Sequence, residues 1–178
     1  MSPEGLLGAG LSRELVVLIV SALPISELRG AIPLAINVYG FAWYKAFLIA
    51  VAGNLLPVPV LILFFNVLYR AFGRVPIIKR FLDWIIERTR RRGGLVEKYE
   101  RIGLMLFVAI PLPVTGAWTG SLAATVFDVK RSYALISIFS GVLIAGVIVT
   151  CLSLLGWLGA IIAGAGLILL AVLGLWRL

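Results

Sequence analysis

Histidine is absent from all 178 residues. Its absence excludes imidazole proton relays, histidine metal sites and the Ser–His or Cys–His pairs of many hydrolases. The single cysteine, Cys151, lies in an apolar run, permits no intrachain disulfide and is silent on redox compartment. Charge is scarce: 13% of residues, against about a quarter in a soluble domain. No Walker loop, dinucleotide fingerprint or metal cage is present, and Gly93-Gly94 and the late glycines lack the flanks such motifs need. The expectation is no cofactor, no metal, no ATP-driven step and no enzymatic activity.

Apolar sequence takes up the room. The chain is 62% hydrophobic with a mean hydropathy of +1.11, which places it in a bilayer. The net charge of +8 does not point to nucleic acid, because ten of the 16 Lys and Arg fall between Arg70 and Arg101, beside apolar segments. Basic residues clustered there mark a cytoplasmic face. Arg13 followed by Leu15–Val20 is too short an apolar run for a signal peptide, and the segment is read as retained.

Residues 43–69 are long enough for a crossing, since about 20 apolar residues span the hydrocarbon. Asn54, Pro57 and Pro59 near its middle predict a break around Leu56. Residues 132–154 and 156–176 predict two more crossings joined near Gly156. Gly156, Ala160 and Gly164 recur at four-residue spacing, which suits either packing within the chain or a homo-oligomer seam. Residues 76–92 alternate apolar and basic faces as an amphipathic helix on the cytoplasmic leaflet, touching membrane lipids.

Two other apolar stretches are interrupted. Residues 14–42 carry Pro24-Ile25-Ser26-Glu27-Leu28-Arg29-Gly30 between two arms of about 11 residues, each covering roughly half the hydrocarbon thickness. Residues 102–129 repeat the design around Pro111-Leu112-Pro113-Val114-Thr115-Gly116. Both read as re-entrant hairpins, broken by Pro24 and Pro33 in one and by Pro111 and Pro113 in the other. Arg101 before the second hairpin and Lys130 and Arg131 after it suggest that both its ends are cytoplasmic. The order is hairpin, crossing, hairpin, crossing with opposite orientation, an inverted repeat of the kind found in transporters. A shift of 88 residues aligns Leu34-Ala35 with Leu122-Ala123 and Gly53 with Gly141.

The fold class is therefore an all-α polytopic membrane protein, a single domain over 1–178. It divides into a hairpin plus crossing (14–70), a basic cytoplasmic linker (71–101), a second hairpin plus crossing (102–155) and a C-terminal helix (156–178). Cell-membrane localisation follows.

Glu27 and Arg29 are the expensive residues, each costing roughly 2.5–3.5 kcal/mol at a helix centre in a bilayer. Glu27 can pair with Arg29 or take up a proton. Arg29, with Gly30 and the N–H groups of the second arm, suits an anion, with Pro33 expected in that arm's first turn. The other reading is a structural ion pair that pins the tip. At the second tip, Thr115, Gly116, Trp118 and Thr119 offer hydroxyls, close backbone approach and a ring. Gly116 and Gly120 also suit tight packing on the first hairpin. Asn54 either meets substrate or caps the backbone that Pro57 breaks.

The stretches Ser26-Glu27-Leu28-Arg29-Gly30-Ala31-Ile32-Pro33-Leu34-Ala35 and Pro111-Leu112-Pro113-Val114-Thr115-Gly116-Ala117-Trp118-Thr119-Gly120 resemble the small multidrug export protein family. That family is distantly similar to the DedA/VTT superfamily, some of whose members move lipid-linked phosphates. The DedA pattern has arginines around the second hairpin's proline, whereas no basic residue lies between Arg101 and Lys130 here. The resemblance implies a transporter or exporter of a small molecule or ion. Glu27 would be its coupling residue, Arg29 the anion contact, and Asn54, Thr115, Trp118 and Thr119 the polar lining. Flipping of an anionic lipid headgroup and a non-transporting scaffold are the competing readings.

Overall fold

The computed structural model describes residues 10–72, 94–110, 115–127, 129–156, 158–162 and 164–166, apart from the side chains of 66–72 and 94–101. Every regular element among the described residues is helical. The amphipathic stretch at 76–92, Pro111, Pro113 and the end of the last expected crossing lie outside them.

Helix α1 (Arg13–Ala22) begins at Ser12, whose hydroxyl accepts from the Leu15 N–H at 3.3 Å. It stops where Leu23 turns extended ahead of Pro24, as the residue before a proline tends to. Helix α2 (Glu27–Pro33) follows and loosens into a π-helical turn at Leu34–Val38. The cause is Pro33, which lacks the N–H that would reach the Arg29 carbonyl. Tyr39 N–H then donates to the Leu34 carbonyl at 3.0 Å, five residues back. Pro33 therefore ends α2 rather than opening it. The sequence had suggested the reverse because the helix was expected to start nearer Arg29.

Helices α3 (Trp43–Leu55) and α4 (Val58–Phe72) break at Leu56-Pro57, at the place expected. Pro57 and Pro59 withdraw the donors that would have met the Gly53 and Leu55 carbonyls. Helix α5 (Gly94–Ala109) and helix α6 (Ala117–Val126) come next. Helix α7 (Arg131–Leu154) is unbroken and ends at a turn where Gly156 takes φ +55°. The chain is helical again over 158–162 and 164–166. A Cβ on Gly156 or Gly164 would meet nothing within 4 Å, so the small-residue stripe has no packing partner among the described residues.

Packing puts α3 and α7 together at the centre. Helix α1 lies along α3, α5 lies along α7, α2 wedges against both central helices, and α6 meets α4. Small residues allow the approach: Ala46 and Ala50 on α3, and Ala134, Gly141, Ala145 and Gly146 on α7, are buried. The outward positions of α7 carry Ile136, Phe139 and Val147, each about half exposed or more.

That distribution is inside-out for water. Small residues sit inside and large apolar ones outside, the arrangement of helices packed in lipid. Two stretches, Trp43–Phe65 and Arg131–Leu154, are long and apolar enough to cross a membrane, and only 39% and 44% of an apolar 18-residue window in each is buried. A core helix of a soluble protein would be mostly covered. An exposed apolar surface of this extent needs lipid or a partner.

At one end, Lys45 pairs with Glu14 at 2.6 Å and sits 4.4 Å from the Phe41 ring centroid, while Arg13 lies 5.8 Å from that of Tyr39. Trp43 and Tyr44 are exposed beside them. Amphipathic aromatics and long cations in one band suit a membrane–water boundary.

Candidate functional site

The break before α2 and the break before α6 meet each other. Glu27, 7% exposed, has φ +45°, a left-handed conformation that costs a non-glycine residue about 1–3 kcal/mol. The turn it makes sends its carboxylate to the start of α6. There Trp118 N–H donates to Glu27 Oε1 at 3.4 Å, and the Ala117 N–H lies against the same group. Gly116, the residue before α6, has no side chain to cap the helix. The first amides of a helix lack intrahelical acceptors and carry partial positive charge, so a carboxylate fits there. The fit requires glycine, since a Cβ on Gly116 would collide with both Glu27 carboxylate oxygens.

Arg29 also reaches across. Its Nη2 donates to the Thr115 carbonyl and lies 3.3 Å from Thr115 Oγ1, which itself donates to the Ile110 carbonyl at 2.7 Å. The Trp118 indole N–H donates to the Ala22 carbonyl at 3.0 Å, satisfying an open end of α1. Three residues of one tip are thus tied to the other. No Glu27–Arg29 ion pair within 4.0 Å is found among the described residues. Each side chain instead bonds to the second tip, Glu27 to the Trp118 N–H and Arg29 to the Thr115 carbonyl.

Between the tips lies a cavity of about 10 Å³, room for roughly one water molecule. Glu27, Arg29, Asn54 and Gly116 bound its polar side, and Val142, Ala145 and Val149 of α7 close it. Drug-sized ligands need pockets of roughly 300–1,000 Å³. Asn54 is 1% exposed and its Oδ1 has no hydrogen-bond partner. An unpaired buried amide oxygen costs about 1–3 kcal/mol.

The other sequence candidates fall elsewhere. Thr119 Oγ1 turns back to the Gly116 carbonyl at 3.4 Å, within its own helix. The Trp118 ring bolts the tips together, and Gly30 packs against Ser26 within its own tip. Gly120 faces Val108 of α5 and Ile138 of α7 rather than the first hairpin. Sequence reasoning missed the Ala22 and Thr115 carbonyls, which carry no side-chain signal. It also missed the α7 wall, whose positions 142, 145 and 149 follow helical spacing in a helix apolar all round.

Neither a curated protein nor a solved structure matches the chain. One family model does, described as "Putative small multi-drug export protein", over residues 27–148. That range starts at the strained glutamate, takes in Arg29, the start of α6, all of Trp43–Phe65 and most of Arg131–Leu154, and covers well over half of the sequence. The chain belongs to the small multi-drug export protein family and is a helical membrane protein.

Proposed function

We propose that the chain is a multi-pass secondary transporter or exporter of the cell membrane, with its substrate and coupling site between two re-entrant hairpin tips. The observation that carries this reading is the use made of Glu27 and Arg29. Charges this costly to bury each take a hydrogen-bond partner from a second, distant segment, at Thr115 and at the start of α6. A lone structural pair needs no second tip.

An inverted repeat is supported by matched neighbours: α1 on α3 and α5 on α7, with the two central helices packed on each other. The site lies near the bilayer midplane in this reading, and residues 70–101 face the cytoplasm. Glu27 carries the coupling proton and Arg29 holds an anionic group. A water-sized cavity makes the described conformation a closed one, so transport requires the tips to part.

Two measurements test it. In proteoliposomes, flux of cationic drugs, organic anions and lipid phosphates is followed with and without a pH gradient. Glu27→Gln is expected to lose the gradient-driven component, and Arg29→Ala to lower flux about tenfold or more, equivalent to at least one charge-assisted hydrogen bond. Correctly folded variants that transport as well as wild type sink the site. Topology is tested separately with cysteines at the exposed Ser12 and Gly40 in a Cys151→Ser background. An impermeant maleimide added from one side should label both, and labelling from opposite sides removes the first hairpin.

A further inference from the structure

Resting on that reading of the tips, we infer that Glu27 is a built-in stand-in for the substrate: its carboxylate occupies an anion site at the start of α6, and a small carboxylate-bearing anion binds there once Glu27 withdraws to Asn54. Four observations meet at this point. The α6 amides of Ala117 and Trp118 face a carboxylate that the protein itself supplies. Gly116 leaves the space that carboxylate fills. The residue supplying it is held at φ +45°, a backbone conformation that aims its side chain at α6. Asn54 borders the same cavity with an amide oxygen that nothing satisfies.

Protonation changes which partner suits Glu27. The carboxylate has acceptors only and belongs on N–H groups. The carboxylic acid carries a donor and needs an acceptor. Asn54 Oδ1 is an acceptor without a donor, in the same cavity. Proton uptake therefore moves Glu27 from the α6 amides to Asn54, and the amides, with Arg29 beside them, are left for an external anion. Arg29 is the charged neighbour facing Glu27. The α6 contribution is backbone N–H, Asn54 of α3 is neutral, and Val108 of α5 and Val142, Ala145 and Val149 of α7 are apolar. The vacated volume is that of a carboxylate with a methyl-sized stem, which limits the bound group to acetate's size.

An internal competitor acts at high effective concentration, so removing it strengthens binding without adding a contact. The probe is acetate, titrated calorimetrically into the full-length protein in detergent, with helix content and melting temperature as folding controls. Glu27→Ala is expected to bind acetate about tenfold or more tighter than wild type at neutral pH, and with no further gain on acidification. Wild type is expected to tighten as pH falls. Asn54→Leu should lose that acid-induced gain, while the Glu27→Ala/Asn54→Leu double variant keeps its affinity.

Equal acetate affinity in wild type and Glu27→Ala overturns the inference, as does an acid-induced gain that survives in Asn54→Leu. Should Glu27→Ala not fold, Glu27→Gln takes its place. Being neutral at every pH, it must bind acetate independently of pH, and a wild-type pH profile in it overturns the proposal equally. Binding is read without flux, so the two readings fail apart. Acetate binding without any transport removes the transporter and leaves the internal plug. Transport that depends on Glu27 without acetate binding removes the plug alone.

Discussion

Gly53→Val is expected to unfold the contact between α1 and α3. A Cβ at that position would fall on Ser21 Oγ and on the Leu18 carbonyl oxygen, closer than real side chains ever approach. Ser21 could turn away, at the cost of its own 2.8 Å hydrogen bond to the Leu18 carbonyl. The Leu18 carbonyl belongs to the helix and cannot move unless α1 does. Overpacking of a dense interior costs roughly 1–3 kcal/mol, and a backbone collision belongs at or above the top of that range. The melting temperature of the purified protein should therefore drop by several degrees, and a Ser21→Ala second change should not restore it. A melting curve that matches wild type, or a full rescue by Ser21→Ala, contradicts the α1–α3 contact as described.

Gly116→Ala is expected to lose stability and, more heavily, function, since φ +159° at this position also disfavours a side chain. The atoms its Cβ would strike are the Glu27 carboxylate oxygens, the far end of a side chain that can swing aside. The helices can stay where they are. What goes is the Glu27 contact with Trp118 N–H, a hydrogen bond to a charged group worth about 1.5–3 kcal/mol. A carboxylate forced off the α6 amides leaves the tips joined only by Arg29 to Thr115 and by the Trp118 ring to Ala22. Gradient-driven flux should fall about tenfold or more, with melting lowered by a few degrees. Flux equal to wild type in a folded Gly116→Ala protein means that the tip contact does not serve transport.

The two glycines differ in backbone, Gly116 lying at φ +159° and Gly53 inside α3, and in what stands opposite them, and neither difference was visible in the sequence. Gly53 attracted notice through a distant match to Gly141, Gly116 through its spacing from Gly120. Neither clue says whether the neighbour is a carbonyl locked in a helix or a movable carboxylate. Gly120 shows how weak the spacing is by itself, since it packs on its own hairpin arm and on α7.

Breaks were far easier to read. Pro24 and Pro57 interrupt helices where expected, because a missing N–H acts on the carbonyl four residues back whatever the surroundings. Pro33 was located correctly but placed in the wrong turn. A proline's effect is local, while the residue at which a helix starts depends on how the chain enters it. Glu27 starts α2 in a left-handed conformation that propensity alone disfavours.

Which partners the two charges take was not legible. Two opposite charges two residues apart look like partners on paper, yet positions i and i+2 of a helix do not face each other. The second tip, some 90 residues later in the chain, offers amides to one and a carbonyl to the other. Thr119 and the Trp118 ring were expected to line a polar site because their side chains are polar. Thr119 satisfies itself within its helix, and the indole N–H serves the open end of α1.

Composition and pattern alone determined that the chain is helical and belongs in lipid, where two long apolar stretches run, where they break, and which two charges are too costly to be incidental. Those properties follow from transfer energies and backbone donors, which each residue carries with it. Only the tertiary structure decided that the strained glutamate caps a helix from the other half of the chain, that its arginine neighbour binds a carbonyl there, and that Asn54 is left without a partner. Such contacts depend on distances between segments far apart in sequence, and no local preference encodes them.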